Sequence, residues 1–382
     1  MNNTITEDKR IVMTLDAGGT NFVFSAIQGN KQIVEPIRLY PNSDNLEKCL
    51  ETIISGFEIV KKELPYKPVA ISFAFPGPAD YPKGIIGDLP NLAAFRGGVA
   101  LGPMLEHHFN IPVFINNDGN LFAYGEALFG FIPEINKKLE EANSPKRFNN
   151  LIGITLGTGF GVGLVCNKQL ITGDNSNGGE GWLLRDVLSP DCHVEEHLSR
   201  EGIRRSYALK SKSSLEEVGM PYEIYKIAKG TEPGNQEAAI ETFNNFGTVL
   251  GEALANLITL LDGIVVLGGG VSEAYDLFAP AMFEQLESKF RLHNGESLHR
   301  LVPRVFNLED SIGMRRLLDG NQIDLAIPGT EKTISYDPFL RTGIRVTKND
   351  TCKIISLGAY AFALNKLDTD VIEEKRIKTE VD

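Results

Sequence analysis

The segment IVMTLDAGGTNFVFSAI, residues 11–27, places a glycine-rich turn between two runs in which apolar residues alternate with others. Alternating runs that meet at such a turn predict a β-hairpin. The tip of this hairpin reads Asp-Ala-Gly-Gly-Thr and begins at Asp16. Glycine at a tip lets backbone N–H groups point at one anion, and a threonine hydroxyl adds a donor. The segment therefore predicts a hairpin whose tip is suited to an anion.

The sequence contains a second turn of the same kind. Residues 157–161 read Gly-Thr-Gly-Phe-Gly and lie between the runs 151–155 and 162–166. A repeated hairpin is the weak internal duplication expected of a fold with two related halves. One glycine turn alone is more often only the tip of a hairpin. The two turns together predict a protein that binds nucleotide phosphates from two sides.

Length and composition limit the class of protein. At 382 residues with 42% hydrophobic residues, the chain is long enough for two domains, which would create a cleft. The net charge is −12 and basic residues form no sustained cluster, which argues against a nucleic-acid partner. Phosphates must then be bound by backbone donors and a metal ion.

The cysteines and the apolar runs indicate the compartment. Cys49, Cys166, Cys192 and Cys352 are scattered with no Cys-x-x-Cys pair, so neither a disulfide framework nor a zinc ribbon is indicated. No apolar run approaches the ~20 residues that a bilayer span needs. We expect a cytoplasmic protein without a membrane partner.

Three loops that follow predicted strands contain residues suited to ligand binding. Gly77 lies in a Pro-Gly-Pro loop, Asn91 lies in a Pro-Asn-Leu loop, and Asn117-Asp118 precedes a helix. Residues 268–270 are three glycines that end an apolar strand, a pattern that favours a bound anion or nucleotide.

Two stretches are predicted to lie outside the core. Residues 133–150 are polar and charged, which predicts a surface excursion. Residues 294–350 are irregular in pattern, which predicts an insertion.

The motifs occur in one succession: Asp-x-Gly-Gly-Thr, Pro-Gly-Pro, Pro-Asn-Leu, Asn-Asp, Leu-Gly-Thr-Gly, Gly-Gly-Glu and Leu-Gly-Gly-Gly-Val-Ser. This succession resembles the ROK family of sugar kinases and sugar-responsive repressors. The resemblance runs from about residue 11 to residue 272 and resumes at about 355–364, so it covers most of the chain.

The resemblance implies an α/β fold of the actin-like, ribonuclease-H-like type. This is a two-lobed ATPase fold with duplicated β-sheet and helix domains and an interdomain cleft. The N-terminal lobe would span residues 1–118, joined by a C-terminal helix at about 355–366. The C-terminal lobe would span residues 119–354, with the insertion at about 294–350.

The resemblance also implies the residues that hold ATP. They are Asp16, Gly18, Gly19 and Thr20 in the first phosphate motif, Gly157, Thr158 and Gly159 in the second, and Gly268, Gly269 and Gly270 on the nucleotide side. Asp16 would help to position Mg²⁺ through water, because Mg²⁺ prefers a few carboxylate or water ligands plus substrate phosphates. The alternative for Asp16 is a turn-capping residue.

At the sugar end, the resemblance assigns Asp118 as the base that accepts the proton of the attacking sugar hydroxyl. The positions that match sugar contacts are Gly77, Asn91, Asn117, Asp118, Glu180 and Glu195. Amide and carboxylate groups pair with the donors and acceptors of a polyol. Taken alone, each has an ordinary explanation: Asp118 as a helix cap, Asn91 as a turn residue, Glu180 as a solvated loop charge.

The chain departs from the family where the family has a Gly-His and a cysteine-rich zinc loop. This sequence has Trp182 after Glu180-Gly181, and only Cys192 and His193 remain nearby as soft ligands. Two adjacent residues cannot supply a tetrahedral site, so we assign no structural zinc. Trp182, the single tryptophan, either stacks on a sugar face or packs.

The sequence thus predicts an ATP-dependent kinase that phosphorylates a hydroxyl of a hexose or N-acetylhexosamine, with ATP and Mg²⁺ as cofactors. The alternative is a catalytically silent sugar-sensing regulator or binding protein. Only about ten residues precede the first predicted strand, whereas the repressors carry an N-terminal DNA-binding arm. The resemblance also predicts a homodimer.

Overall fold

The structure is a computed structural model that describes residues 5–17, 21–89, 92 and 94–381, with side chains up to residue 369. The chain divides into two compact units, which are described separately. Unit 1 comprises Met1–Gly130, Thr172–Gly178 and Asn349–Asp382, and unit 2 comprises Phe131–Ile171 and Gly179–Lys348. The first division therefore falls at Gly130 rather than at residue 118, and the last helix belongs to unit 1.

The secondary structure of the described residues alternates between strands and helices. The strands are β1 (Ile11–Ala17), β2 (Phe22–Gln28), β3 (Lys31–Gln32), β4 (Ile37–Leu39), β5 (Ala70–Ala74), β6 (Ala79–Asp80), β7 (Ile85–Ile86), β8 (Val113–Asn116), β9 (Leu151–Leu156), β10 (Phe160–Cys166), β11 (Gln169–Leu170), β12 (Ile264–Gly268), β13 (Lys289–Arg291), β14 (Ser297–His299), β15 (Arg304–Asn307), β16 (Ile323–Ala326), β17 (Thr333–Tyr336) and β18 (Arg341–Val346). The helices are α1 (Leu46–Glu63), α2 (Leu101–Phe109), α3 (Asp118–Leu128), α4 (Phe131–Glu141), α5 (Arg200–Ser211), α6 (Pro221–Ala228), α7 (Gln236–Leu261), α8 (Tyr275–Leu286), α9 (Ser311–Asp319) and α10 (Thr351–Val381).

The sheet of unit 1 has the order β3-β2-β1-β5-β8, with β4 paired to β2. Strands β1 and β2 form the antiparallel hairpin that the opening segment predicts. Strands β5 and β8 continue the sheet in parallel with β1. The core beneath it is rich in phenylalanine, and the rings of Phe24 and Phe57 meet edge to face at 5.1 Å.

The sheet of unit 2 repeats this order as β11-β10-β9-β12-β18, with β15 added at the edge. Strands β9 and β10 form the second predicted hairpin, and β12 and β18 run parallel to β9. Strand β12 is buried along its whole length, as expected for a central parallel strand. The predicted duplication of a β-sheet and helix domain is therefore present.

Helices α3 and α10 of unit 1 pack with their backbones in close contact. A Cβ atom on Gly358 would lie 1.9 Å from the carbonyl oxygen of Leu121, and one on Gly125 would lie 2.1 Å from that of Ile354. Neither position has room for a side chain. The buried Tyr360 also fixes α10, because its hydroxyl accepts a hydrogen bond from the backbone N–H of Gly29 at 2.9 Å.

The prediction that residues 294–350 form an insertion outside the core is wrong for two strands of that stretch. Strands β15 and β18 belong to the sheet of unit 2. The alternation is obscured because β18 contains Arg341 and Arg345, both 1% exposed. Each is paired: Arg341 donates to Asp337 at 2.5 Å, and Arg345 to Glu134 at 2.7 Å. Strand β14 and the hairpin β16–β17 are exposed throughout.

The prediction of a surface excursion at 133–150 is also wrong at its start. Helix α4 buries Phe131, Ile132, Ile135 and Leu139 on one face. These residues recur at the spacing of an amphipathic helix, and the polar residues between them occupy its outer face.

Among the helices of the described residues, none combines the length and the hydropathy that a membrane span requires.

We expect Gly358→Ala to lower the free energy of unfolding by about 1–3 kcal/mol, because the added methyl group meets backbone atoms rather than a movable side chain. Urea unfolding of the purified protein measures this. The control is Ser356→Ala on the same helix, which should change stability by less than about 0.5 kcal/mol. A Gly358→Ala protein as stable as the wild type would show that the helices have room to separate.

Candidate active site

The register of the unit 1 sheet brings three strand ends together. Asp16, at the end of β1, is level with Ala74 at the end of β5, and Ala74 is level with Asn116 at the end of β8. These strands are parallel, so their carboxyl ends share one edge of the sheet. In sheets of this kind ligands bind beyond that edge.

Asn117 and Asp118 lie where β8 passes into α3. The Asn117 side chain caps the helix, its Oδ1 accepting from the backbone N–H of Asn120 at 2.7 Å. This leaves the Asn117 amide group as the donor that a ligand could use. Asp118 is the first residue of the helix; protein atoms surround its carboxyl group, but its side chain keeps surface that a ligand can reach.

The environment of Asp118 alters its acidity. The pKa of its carboxyl is raised above the ordinary value of 3.8, mainly because surrounding protein displaces water and also because Asp16 is negatively charged. The N–H of Gly119 donates to Asp118 Oδ1 at 2.9 Å and acts in the opposite direction. A carboxylate with a raised pKa is a better proton acceptor than an ordinary aspartate.

Asp16 has a neighbour that the sequence did not suggest. Cys352, at the start of α10, lies near the Asp16 carboxylate. Partial burial and the interaction with Asp16 raise the pKa of the Cys352 thiol to about 12. The thiol is therefore protonated at neutral pH and is a poor nucleophile.

Of the other predicted site residues of unit 1, the structure describes only Gly77. Gly77 lies in an exposed loop after β5, at the same edge of the sheet. Gly18, Gly19, Thr20 and Asn91 lie outside the described residues. Their assignments stay predictions.

In unit 2, the turn between β9 and β10 contains Gly157, Thr158 and Gly159. The turn is tied to the start of α5: the backbone N–H of Arg200 donates to the Gly157 carbonyl at 2.9 Å. The Arg200 guanidinium donates to Thr158 Oγ1 at 2.7 Å. The helix thus holds the turn by both its backbone and a side chain.

The glycines of the nucleotide-side loop serve two different purposes. Gly268 ends β12, and Gly269 has φ of 86° with no room for a Cβ, which would lie 2.3 Å from the Leu156 carbonyl oxygen. At Gly270 and at Gly157, by contrast, a Cβ would meet nothing within 4 Å. The fold therefore requires glycine at 269 but not at 157 or 270, where the open space is available to a ligand.

Those two open glycines line the same cavity. It has a volume of about 590 Å³, and its walls include Gly157, Thr158, Arg200, Tyr222, Tyr225 and Gly270. The rings of Tyr222 and Tyr225 are nearly parallel, with centroids 6.4 Å apart. A cavity with backbone amides, a cation and aromatic rings suits a nucleotide.

A second cavity of unit 2, of about 650 Å³, contains none of the predicted site residues. Its polar groups satisfy one another, since Arg300 donates to Glu252 at 2.9 Å and to Asn256 at 2.7 Å. Volume alone therefore does not identify the site.

Both predicted sugar-contacting glutamates of unit 2 are held by hydrogen bonds. The indole N–H of Trp182 donates to Glu180 Oε2, while the Trp182 ring packs against the core of the unit. Glu195 Oε2 accepts from the backbone N–H of Phe160 at 2.8 Å. Glu195 can approach this closely because Gly159 has no Cβ atom. A Cβ atom at this position would lie 2.5 Å from the same oxygen.

The loop that replaces the family's zinc loop is closed by side chains. The fully buried Asp186 is hydrogen-bonded to His197 Nδ1 at 2.5 Å and accepts from the N–H groups of Leu188 and Ser189. His193 packs edge-on against Trp182. Over the part of the chain that the structure describes, no three His, Cys, Asp or Glu residues come together as metal ligands.

Sequence reasoning missed Arg200, Tyr222 and Tyr225. The tyrosines are three residues apart and follow Pro221 at a helix start, which is the pattern of any amphipathic surface helix. No local signal distinguishes such residues from ordinary surface positions.

The family model for the ROK family matches residues 12–317. The chain belongs to the ROK family. In that family it is 49% identical to the glucokinase of Parabacteroides distasonis, whose crystal structure superimposes with a TM-score of 0.85 over 95% of this chain and 99% of that one. The predicted α/β, actin-like fold is therefore confirmed.

Among ROK proteins of known name, similarity extends to both functional classes. The chain is 26% identical to the glucokinase of Thermotoga maritima over 288 residues, 70% of this chain and 84% of that protein. It is 25% identical to the xylose repressor of Bacillus subtilis over 309 residues, 80% of this chain and 75% of that protein. Sugar kinases and a repressor are thus both relatives.

The two adjacent glycines allow a matched test. We expect Gly270→Ala to change stability by less than about 0.5 kcal/mol but to weaken ADP binding, because its methyl group projects into the cavity. Gly269→Ala should instead destabilise the protein by about 1–2 kcal/mol, because alanine is strained at this φ. Thermal unfolding and calorimetric titration with ADP measure the two effects. Unchanged ADP affinity in Gly270→Ala would show that the nucleotide does not bind in this cavity.

Proposed function

We propose that this protein is an ATP-dependent sugar kinase that phosphorylates a hydroxyl group of a hexose or N-acetylhexosamine. The observation that carries the proposal is the placement of Asp118 beside Asp16 at the shared edge of β1, β5 and β8. The similarity to two glucokinases supports it. Several other relatives are N-acetyl-D-glucosamine kinases, so both sugar classes are included.

In the proposed reaction, the oxygen of the sugar hydroxyl attacks the γ-phosphorus of ATP. The bond from that phosphorus to the β–γ bridging oxygen breaks, ADP leaves, and Asp118 accepts the hydroxyl proton. Most of the rate acceleration in phosphoryl transfer comes from alignment and charge neutralisation, so the base mainly orients the hydroxyl. The raised pKa of Asp118 suits a proton acceptor, and the Asn117 amide group is the proposed donor to the same sugar.

We propose that the unit 2 cavity holds ATP, with its phosphates on the Gly157–Gly159 turn. The open space at Gly157 and Gly270 supports this. Gly18, Gly19 and Thr20 are proposed as the second phosphate turn. Glu180 and Glu195 are proposed as acceptors for sugar hydroxyls, and Gly77 and Asn91 as further sugar contacts.

Mg²⁺ is the expected metal, and it neutralises phosphate charge when bound. The donor set fits, because Asp16 offers the hard oxygen atoms that Mg²⁺ prefers. Asp16 is half-buried at the end of β1. A metal bound mainly by phosphates and water needs few protein ligands.

The alternative is a sugar-sensing regulator or binding protein without catalysis, which the match to the xylose repressor favours. It differs from the kinase in one measurable respect: it binds sugar but releases no ADP. The homodimer also stays a prediction, which the molar mass from light scattering checks.

The test is a coupled ADP-release assay over a panel of hexoses and N-acetylated hexoses. We expect at least one sugar to stimulate ATP turnover. Asp118→Asn should lower kcat about 100-fold or more, because an amide cannot accept the proton. The control is Asp44→Asn, an exposed aspartate of the same unit, which should leave kcat unchanged. The kinase proposal fails if no sugar stimulates turnover or if Asp118→Asn is fully active.

A further inference from the structure

Arg200 occupies an unusual position at the start of α5. Ser199 caps this helix, its Oγ accepting from the N–H of Gly202 at 3.0 Å, and Arg200 is the first helical residue. Its backbone N–H and its guanidinium both bond to the Gly157–Thr158 turn, at 2.9 Å and 2.7 Å. The side chain is therefore directed along the turn rather than away from it.

The charge of Arg200 is unpaired among the described residues. No carboxylate oxygen there lies within 4.0 Å of its guanidinium, whereas two other arginines of the same helix are paired. Arg204 bonds to Glu201 at 2.8 Å and Arg205 to Glu196 at 2.7 Å. In a chain with a net charge of −12, an unpaired cation on a cavity wall is an attractive site for an anion.

We infer that Arg200 binds a phosphate group of the nucleotide in the unit 2 cavity, an inference that rests on the proposed kinase function. A guanidinium group has several N–H donors in a planar fork that matches the oxygens of a phosphate. Its bond to Thr158 Oγ1 uses one donor and orients the fork, and the remaining donors are available to the ligand. Gly157 and Gly270, on the same cavity, leave space for the nucleotide to approach.

This role differs from that of the backbone turn. Backbone N–H groups bind phosphate through their dipoles. Arg200 adds a full positive charge to the one that Mg²⁺ supplies. The contact should therefore discriminate between nucleotides by their phosphates, and it should contribute nothing to the binding of a nucleoside.

The experiment measures the affinities of ADP and adenosine by calorimetric titration, without added sugar. We expect Arg200→Gln to weaken ADP binding by about 10-fold to 100-fold, the range for one charge-assisted contact. Adenosine binding should stay unchanged. Arg200→Lys should recover part of the ADP affinity, because it keeps the charge but loses the fork. The matched control is Arg205→Gln on the same helix, which should bind both ligands as the wild type does.

Two results would overturn this inference alone. One is an Arg200→Gln protein that binds ADP as tightly as the wild type. The other is an equal loss of ADP and adenosine affinity, which would mean that Arg200 only shapes the cavity. If the wild type binds no ADP and no sugar stimulates turnover, the proposed function itself fails, which is a different outcome.

Discussion

The arrangement of unit 1 depends on the backbone contact between α3 and α10. Gly125 and Gly358 leave no room for a side chain at this contact, so the two helices are held at one fixed distance. Each helix begins with a residue of the candidate site: Asp118 opens α3, and Cys352 lies at the start of α10. Because the charge of Asp16 acts on the pKa of both Asp118 and Cys352, a shift of either helix would disturb all three groups.

In unit 2, a different set of groups holds the glycine turn of the hairpin in position. Its sheet repeats the strand order of unit 1, but the turn after β9 is held by α5 through Arg200, and its outer side faces a cavity. Close contacts fix Gly159 and Gly269, while Gly157 and Gly270 remain open. Side-chain hydrogen bonds hold the loop that contains Trp182: Asp186 bonds to His197, and Trp182 bonds to Glu180.

The sequence predicted the features that local patterns determine. Both hairpins follow from alternating residues around glycine turns, and the duplication follows from their repetition. Strand β18 was missed because a buried arginine is indistinguishable in sequence from an exposed one. The groups that accommodate Arg345, the Glu134 carboxylate and the Phe131 ring, are distant in sequence. Arg200 was missed for a related reason, because its significance depends on contact with a turn 42 residues earlier in the chain.

The central claim is that the Asp118 carboxylate, beside Asp16, accepts the proton of the sugar hydroxyl. Its most direct test is the pH dependence of kcat/KM for the wild type and for the residual activity of Asp118→Asn. A base acts in its deprotonated form, so activity is lost as the pH falls through the raised pKa of Asp118. The account predicts an acid limb above the ordinary value of 3.8 in the wild type, which is absent from the residual activity of Asp118→Asn. The same acid limb in both proteins would contradict it.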